Sequence, residues 1–414
     1  MSVLLEKARR LVSEGSLCDH CLGRVFSQMG TGLRNEERGR ALRVCLCMEE
    51  GARLQLAKEC WVCRGAFQQV ERWARRVVER VERLEFKTYL MGTRAPLKIE
   101  MIEKHLTEKY ELNGEPFKQA FNREVGRRFG EIYAEQKHPI AVDFLDPEIV
   151  FLMDLETDML ELHINPLFIY GRYKKFVRTI PQTKWPCRDC KGRGCARCHH
   201  TGKMYQESVE ELISGSALAV TQGTGTAFHG AGREDIDALM LGSGRPFVLE
   251  VKEPKTRTFD LEKLQNEVNS QASGKIEISE LQMVKTEVVE RIKSVDAEKV
   301  YEARVRFAQL ITEQALDTAL QQLNETTIEQ RTPQRVAHRR ADLIRKRRVL
   351  QISGKLLAEQ EATIRIHCEG GLYIKELVSG DEGRTQPNLS ELVKTKAQVT
   401  ELNVLEVIGD FIDS

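Results

Sequence analysis

The chain has 414 residues, of which 41% are hydrophobic and 30% charged, and its formal net charge is +1. These values exclude a mainly disordered protein and a uniformly basic polyanion-binding surface, and the length predicts roughly two to four domains. No apolar run reaches the length of a membrane span, so no membrane association is expected. The N-terminal stretch MSVLLEKARRLVSEG is typical of an amphipathic helix and lacks a secretory hydrophobic region, which predicts a cytoplasmic protein.

Eight of the eleven cysteines form four CxxC pairs, a pattern that in a reducing compartment indicates zinc before disulfides. The first two pairs flank a basic helical stretch, and they predict one structural four-thiolate zinc site made of Cys18, Cys21, Cys60 and Cys63. A redox motif would follow a strand–helix pattern, which is not visible here. The three remaining cysteines are expected to act as small buried hydrophobic residues: Cys45, Cys47 and Cys368.

A compact α/β module is predicted after these pairs. Gly65–Glu85 is typical of a connecting helix, and strand and helix patterns then alternate as far as Asn165. The strand-like blocks include AVDF, IVFLMDL and MLELHI. Alternation on this scale indicates a module of about 100 residues.

The next stretch, Tyr170–Lys203, combines basic and aromatic residues. Its ten lysines and arginines face a single acid, Asp189, and four aromatic side chains lie among them. Cations that reach phosphates, mixed with rings that stack on bases, are typical of RNA binding, whereas an ordinary solvated face rarely carries so many rings. The residues predicted to contact RNA here are Arg172, Lys174, Lys175, Arg178 and Lys184.

A second metal signature lies inside this basic stretch. The sequence CRDCKGRGCARC has the spacing CxxC-x4-CxxC, and its glycines allow the chain to double back on itself. It predicts a compact structural zinc site made of Cys187, Cys190, Cys195 and Cys198.

Beyond Met204 the pattern changes to strands with helices between them and no strict βαβ repeat. A short helix is expected at Val209–Ser214 and a strand at Ala217–Val220. Further strands are predicted in PFVLEVKE, KIEISELQMV and KVYEARVRF, then in a hairpin, Val349–Leu356 with Glu361–Cys368, and finally in Val399–Ile408. This order predicts an α+β domain built on a largely antiparallel sheet.

A second basic run, Arg331–Arg348, lies between two predicted strands. It contains eight lysines or arginines against one aspartate, and it predicts a charged loop or helix over the sheet. Alone it is typical of a solvated face, but together with the first basic stretch it favours nucleic-acid contact. The residues predicted to reach phosphates are Arg339, Arg340 and Arg347.

The glycine-rich stretch Phe228–Phe247 holds the residues best suited to chemistry. Its glycines and proline predict loops or tight turns, with Arg233 and Asp235 close enough to form a charge-assisted pair that keeps a nucleophilic carboxylate ionised. Taken alone, a solvated turn explains these residues better. No phosphate-binding P-loop and no dinucleotide fingerprint are visible, so no organic cofactor is expected.

Three distant segments together resemble one known family. GRED at Gly232–Asp235 resembles the first motif of RNA pseudouridine synthases, Tyr301 in KVYEARV resembles the second, and GLYIKELVSGDEG around Lys375 resembles the third. With QTKWPC, NPLFIYGRY, GREDIDALMLGSGRPF and both cysteine signatures, nearly the whole chain is similar to the T-loop tRNA pseudouridine synthases of archaea and eukaryotes, often called the Pus-ten type.

The resemblance implies a fold, a substrate and residue roles. It implies a pseudouridine-synthase catalytic domain preceded by a THUMP-like RNA-binding module, and a tRNA substrate whose T-loop uridines at tRNA positions 54 and 55 are isomerised. Asp235 would be the nucleophile, attacking C1′ or C6, with Tyr301 stacking on the flipped uracil and aiding removal of the C5 proton. Lys375 would keep Asp235 ionised, as a lysine where much of the superfamily has arginine. The substrate-binding residues implied are Arg233, Tyr301, Tyr373 and Leu377.

Alternatives remain open at this level. Asp237 competes with Asp235 for the nucleophile's role, although only Asp235 fits the Gly-Arg-x-Asp pattern. A non-catalytic, zinc-dependent tRNA-binding or chaperone protein would keep the cysteines and basic stretches, and another THUMP-containing RNA-modifying enzyme would need a nucleotide or methyl-donor loop.

The expected organisation has four parts and one RNA partner. Residues 1–75 form a zinc-stapled helical region, 76–186 the THUMP-like module, 187–205 the second zinc knuckle and 206–414 the catalytic domain. The expected partner is the tRNA T-arm, and the protein is expected to be a monomer.

Overall fold

The computed structural model describes residues 3–54, 59–338 and 340–412. The chain divides into two compact units. Unit 1 is Met1–Asn165 with Lys255–Arg257, and unit 2 is Pro166–Pro254 with Thr258–Ser414. Among the described residues, no helix combines the length and the apolar character needed to span a bilayer.

Unit 1 contains six helices and four strands among its described residues. The helices are α1 (Val3–Glu14), α2 (Asp19–Val25), α3 (Asn35–Glu50), α4 (Val70–Arg80), α5 (Leu97–Tyr110) and α6 (Phe117–Gln136). The strands are β1 (Thr88–Arg94), β2 (Ala141–Val142), β3 (Ile149–Asp154) and β4 (Met159–Ile164). The sheet order is β2-β1-β3-β4, with β1 parallel to both β2 and β3, and β3 antiparallel to β4.

The core of unit 1 follows from the periodicity of its elements. In α6, Phe117, Phe121 and Phe129 recur at helical spacing and are fully buried. In β3, alternate residues are buried, as expected for a strand with one covered face. The predicted α/β module is therefore present, with its long helix packed on the sheet.

Unit 2 contains ten strands and six helices among its described residues. The strands are β5 (Leu167–Lys175), β6 (Gly225–Gly230), β7 (Ala238–Lys252), β8 (Ile276–Val284), β9 (Glu298–Phe307), β10 (Thr327–Arg331), β11 (Ile344–Ala358), β12 (Glu361–Cys368), β13 (Thr385–Gln386) and β14 (Ala397–Ile408). The helices are α7 (Val209–Thr221), α8 (Leu261–Gln271), α9 (Glu287–Ser294), α10 (Glu313–Leu323), α11 (Ile374–Ser379) and α12 (Leu389–Leu392).

One sheet joins all these strands in the order β13-β10-β11-β12-β9-β14-β7-β5-β8, and β6 pairs with β7. Neighbours are antiparallel except β14 and β7, which run parallel. Where they meet, a Cβ on Gly242 would lie 2.1 Å from the Leu405 carbonyl oxygen, so only glycine fits there. The predicted α+β class with a largely antiparallel sheet is confirmed.

Two sequence predictions need correction in unit 2. Residues 167–175 form β5 of the large sheet, paired with β7 and β8, although the sequence placed them in the RNA-binding module of residues 76–186. The predicted strand Ala217–Val220 is instead the last part of α7. The side chain of Ser208 caps that helix by accepting a hydrogen bond from the Glu211 amide, and Ala217 packs in the core, so an apolar run was misread as a strand.

Candidate active site

A cavity of about 800 Å³ opens on the sheet of unit 2. Its lining comes from several distant segments: Trp185, Gly232–Ala238 before and at the start of β7, Arg245 on β7, Lys299 and Tyr301 on β9, Arg335, Val336 and Arg340 between β10 and β11, Arg345 on β11, Gly371–Lys375 at the start of α11, and Leu402 and Val404 on β14. The three segments predicted to converge, around Asp235, Tyr301 and Lys375, therefore do share one cavity. Its size suits a small-molecule or nucleotide ligand.

The loop between β6 and β7 carries Asp235, and three side chains fix it by donating hydrogen bonds to its backbone carbonyl groups. Arg245 Nη1 donates to the Ala231 carbonyl at 2.7 Å, and Gln182 Nε2 donates to the Gly232 carbonyl at 3.0 Å. Lys175 Nζ donates to the Ile236 carbonyl at 3.1 Å. Gly232 has a φ of +76°, which glycine adopts without strain. The loop is thus fixed before any substrate arrives.

Glu234, in the same loop, borders the cavity and takes part in a buried ionic cluster. Its carboxylate lies 2.9 Å from Arg245 Nε and 3.9 Å from Lys175 Nζ, and it accepts a hydrogen bond of 2.8 Å from the Tyr173 hydroxyl. Burial lowers the pKa of Lys175, an effect that Glu234 opposes, and burial raises the pKa of Tyr173 well above its usual value. One buried anion therefore balances two buried cations under the loop.

Asp235 faces the cavity, and its nearest cation is Arg335. Arg335 Nη1 lies 2.9 Å from Asp235 Oδ2 and 3.1 Å from Oδ1, and its Nε lies 2.6 Å from the buried carboxylate of Glu376. Lys375 Nζ lies 3.5 Å from Asp235 Oδ2, beyond a normal hydrogen bond. The ion pair predicted between Lys375 and Asp235 is present as a longer contact, and Arg335 makes the close one.

Lys375 makes its hydrogen bonds to Asp237. Its Nζ donates to the two Asp237 carboxylate oxygens at 2.7 and 2.9 Å. Burial raises the pKa of Asp237, but the Lys375 hydrogen bond and charge outweigh that effect and leave the pKa below its usual value. The loop thus presents two carboxylates, each with its own principal cation.

Tyr301 and Lys299 project from β9 into the same cavity. Burial, followed by the nearby Cys368 thiol, raises the pKa of Tyr301, so its hydroxyl stays protonated at neutral pH. Burial, followed by repulsion from Arg245, lowers the pKa of Lys299 to about 8. Cys368 itself is fully buried, as predicted for this cysteine, and burial raises its pKa to about 12.

Tyr373 and Leu377 differ in their access to the cavity. Tyr373 lines it, with the Arg335 guanidinium 5.8 Å from the ring centroid, and the Tyr373 amide donates to Gln330 Oε1 at 2.8 Å. Leu377 is 1% exposed in the hydrophobic core and is absent from the cavity wall, where Leu372 and Ile374 stand instead. The predicted packing of Leu377 directly under a base is not supported.

The five basic residues predicted to contact RNA in the first stretch fall into three groups by burial. Lys184 is exposed, and Lys174 pairs with Glu277 at 2.9 Å, so both lie at the surface. Lys175 is fully buried and donates to loop carbonyls, so the structure does not support its predicted phosphate contact. Arg172 and Arg178 are half-buried and donate mainly to backbone carbonyls, of Gly244 at 3.0 Å and of Asp237 at 2.8 Å.

The second basic run lies at the cavity edge. Arg340 and Arg345 line the cavity, while Arg339 falls outside the described residues. The Arg347 guanidinium lies beside Gly371 at the start of the third motif. Residues 344–348 of the run belong to β11 and are not part of an overhanging loop.

Both cysteine clusters have the geometry of a four-thiolate metal site. The ligand atoms of each cluster all lie within 4.8 Å of one another: Cys18, Cys21, Cys60 and Cys63 in unit 1, and Cys187, Cys190, Cys195 and Cys198 in unit 2. A tetrahedral site with metal–sulfur bonds of about 2.3 Å separates its sulfurs by about 3.8 Å. The measured separations include 3.7 Å for Cys18–Cys63, 3.9 Å for Cys187–Cys195 and 3.8 Å for Cys190–Cys198. The thiols therefore fit a tetrahedral metal ion.

Sequence reasoning missed three site residues. Arg335 lies in the basic run that was flagged for RNA, but its partner Asp235 is 100 residues away and no spacing rule joins them. Lys299 precedes Tyr301 by two residues, so the strand period alone places both on one face. The glycine-rich sequence around Glu234 predicts an exposed charge in a turn, and only the fold shows that this side chain is buried.

Comparison with known proteins agrees with this architecture. Residues 168–408 match the family model described as Pus10, C-terminal, and residues 73–154 match Pus10 THUMP domain, archaeal. A tRNA pseudouridine synthase Pus10 of Halorubrum lacusprofundi is 46% identical over 98% of this chain and 97% of its own. Its counterpart in Methanothrix thermoacetophila is 43% identical over 99% of this chain and 95% of its own.

Among solved structures, a Cbf5-Nop10-Gar1 complex has a TM-score of 0.31 and 15% identity, covering 48% of this chain and 45% of that chain. At that score it adds nothing to the assignment. The sheet, the shared cavity and the family matches define the chain as an RNA pseudouridine synthase. It belongs to the Pus10 family, which confirms the resemblance drawn from the three motifs and the THUMP-like module.

Proposed function

We propose that this chain isomerises the T-loop uridines at positions 54 and 55 of tRNA to pseudouridine, with Asp235 as the nucleophile. One observation carries the proposal. The Asp235 carboxylate lies in a cavity of about 800 Å³ shared with Tyr301, and it is held there by Arg335 at 2.9 Å. An ionised, fixed carboxylate in an enclosed site is what a nucleophilic aspartate requires.

The reaction needs no external reagent. The C1′–N1 bond of the uridine breaks, a C1′–C5 bond forms, and the proton lost from C5 is balanced by the proton that N1 gains. Asp235 adds to C1′ or to C6 and leaves again at the end, so no electrons are exchanged with a cofactor. In duplex or stacked RNA the base has to leave its stack to reach this cavity.

The neighbouring residues have defined parts in this scheme. Tyr301 offers a protonated hydroxyl and a ring for the uracil, and its position suits a role in transferring the C5 proton. Arg335, with Lys375 as the more distant cation, holds the Asp235 carboxylate in position through charge-assisted contacts. Arg233 and Tyr373 contact the nucleotide at the cavity wall.

Exposed cations around the cavity would hold the RNA backbone. Arg340 and Arg345 line the cavity, and Lys184 is exposed on the same unit. Contacts of this kind supply affinity without reading sequence. The T-arm partner, a monomeric state and a cytoplasmic location are parts of this proposal, the last because cysteines that bind a metal must stay reduced.

The decisive test is incubation of the purified chain with an unmodified tRNA transcript and no cofactor, followed by chemical mapping of pseudouridine. Wild-type protein should modify positions 54 and 55. Asp235→Asn should form none, while Asp237→Asn, a matched change two residues away, should retain most activity. Activity in Asp235→Asn together with its loss in Asp237→Asn would transfer the nucleophile's role to Asp237.

We further propose that both cysteine clusters hold structural zinc. Such a metal supplies folding energy, so we expect two zinc ions per chain by elemental analysis and loss of helical circular dichroism after chelation. The loss should be largest for unit 1, because Cys21, Cys60 and Cys63 are buried in its core. Unchanged circular dichroism and tRNA affinity after verified metal removal would refute this.

A further inference from the structure

Trp185 lies at the cavity wall, yet the isomerisation scheme gives it no part. Its ring lies 4.7 Å from the guanidinium of Arg233, and both side chains line the cavity. Arg233 is two residues before Asp235, a separation of at most about 7 Å along the chain. The guanidinium of Arg233 and the indole of Trp185 thus lie in contact in the same cavity as Asp235, the proposed nucleophile.

The second cysteine cluster fixes this tryptophan. Trp185 is two residues before Cys187, and its carbonyl accepts a hydrogen bond of 2.9 Å from the Met204 amide. Pro186 and Lys203 form a β-bridge, and the Cys187 backbone amide donates to the Gly202 carbonyl at 2.7 Å. Tyr205 packs its ring edge against Trp185, with centroids 5.6 Å apart and an interplanar angle of 78°. The second cysteine cluster, Cys187–Cys198, therefore fixes the position of the Trp185 indole.

We propose that the Arg233–Trp185 stack is a second nucleotide subsite, which holds the base of a nucleotide next to the reacting uridine. The inference rests on the proposed function, because it assumes that a uridine occupies the cavity at Asp235. Extruding one base leaves its neighbours without a stacking partner. Aromatic rings and arginine guanidinium planes are the surfaces on which proteins restack such bases.

The geometry favours a base over a phosphate at this place. The Arg233 guanidinium lies over the Trp185 ring, and this pair of flat groups suits stacking of a base, whereas a phosphate needs only donors. A phosphate contact alone would need neither the indole nor a cysteine cluster that fixes its position. The second cysteine cluster would therefore act on catalysis indirectly, by fixing the place of Trp185, while Trp185 itself would bind the neighbouring base.

The test uses T-arm RNA hairpins carrying 2-aminopurine on either the 5′ or the 3′ side of the target uridine, because stacking quenches this base. Binding is measured to full-length Asp235→Asn protein, so that no turnover occurs. With Trp185 intact, one of the two probes should be quenched at saturation. Trp185→Ala should abolish that quenching and weaken binding on the order of tenfold or more, and Trp185→Phe should restore most of both.

Matched controls separate a subsite from a folding defect. Lys184→Ala, one residue away, should weaken binding yet leave the quenching at saturation unchanged. Circular dichroism should be the same for all variants, and metal content should stay at the wild-type value. Equal quenching of both probes with Trp185 and with Trp185→Ala would overturn the inference, as would failure of Trp185→Phe to restore the quenching in a folded, metallated protein.

The outcomes also distinguish this inference from the proposed function. If wild-type protein forms pseudouridine but Trp185→Ala has unchanged kcat/KM and quenching, the subsite is wrong and the function stands. If wild-type protein forms no pseudouridine while Trp185 still quenches the probe, the function is wrong and Trp185 is a base-stacking residue of an RNA-binding protein.

Discussion

Two ionic clusters meet at the loop before β7, one below it and one above. Below, the side chains of Glu234, Arg245 and Lys175 are 1%, 1% and 0% exposed. Above, those of Asp235, Arg335 and Lys375 are 25%, 35% and 25% exposed. Adjacent carboxylates in one sequence motif thus occupy opposite environments.

The difference shows how one loop separates support from chemistry. A buried carboxylate that is fully paired cannot reach a substrate, but it fixes the backbone that presents its neighbour. An accessible carboxylate with a cation on one side stays ionised and leaves room for a nucleotide. The comparison can be tested by removing charges from each cluster in turn.

The largest expected effect follows from Glu234→Gln. Removing the one anion leaves Arg245 and Lys175 as buried cations without compensation, which costs on the order of 3–5 kcal/mol. Urea denaturation should show a much lower midpoint, while Asp235→Asn should shift the midpoint little. Similar midpoints for the two variants would mean that the lower cluster is not the support.

The next effect concerns catalysis. Arg335→Ala removes charge-assisted hydrogen bonds to Asp235, worth about 1.5–3 kcal/mol, so single-turnover rates should fall roughly 10- to 150-fold. Lys375→Ala should cost less, because its Nζ is 3.5 Å from Asp235. A greater loss for Lys375→Ala would show that RNA binding rearranges the pair into the arrangement expected from the family motif.

A smaller effect is expected for Asp237→Asn. Its ion pair with Lys375 is solvent-accessible, so stability should change by no more than about 1 kcal/mol. Because the pKa of Asp237 is lowered in the folded chain, the stabilisation is present above the unfolded pKa and lost as pH falls through the folded one. The difference in stability between wild type and Asp237→Asn should therefore vanish in acid. Urea midpoints measured at intervals of about one pH unit, from about pH 3 to about pH 7, would check this.

The smallest effect concerns Lys299, which lines the cavity from β9. Its folded pKa of about 8 is below the unfolded value, so the unfolded chain binds more protons between these values and stability rises with pH there. The Lys299→Met variant should therefore be more stable than wild type at about pH 7. This gain in stability should shrink as the pH rises towards the pKa of Lys299 in the unfolded chain. Urea midpoints measured across this range test the sign, and a gain that grows with pH would contradict it.

Local rules predicted much of this molecule. Alternation of apolar and polar residues predicted β8 and β9, the predicted hairpin corresponds to β11 and β12, and CxxC spacing identified both cysteine clusters. The motif pattern brought Asp235, Tyr301 and Lys375 into one cavity. These features depend on residues near in sequence, or on a family pattern spanning the chain.

Partner choice was not predictable in the same way. Whether Asp235 pairs with Lys375 or with Arg335, and whether Lys175 faces RNA or the core, depends on how distant segments pack. The strand at Ala217–Val220 failed because four apolar residues fit either a strand or the buried side of a helix. The place of Leu377 in the core depends on the turn beginning α11, which presents Leu372 and Ile374 to the cavity.

The placement of β14 bears on when a newly made chain becomes active. This strand, Ala397–Ile408, is the last in the described chain, yet it lies in the sheet between β9, which carries Tyr301, and β7, which follows Asp235. A ribosome-bound chain that has not yet released residues 397–408 lacks the strand that joins the segment of Tyr301 to that of Asp235, the proposed nucleophile. Truncation before this strand is therefore expected to remove the joint between β9 and β7 and part of the cavity wall, and with them the proposed activity.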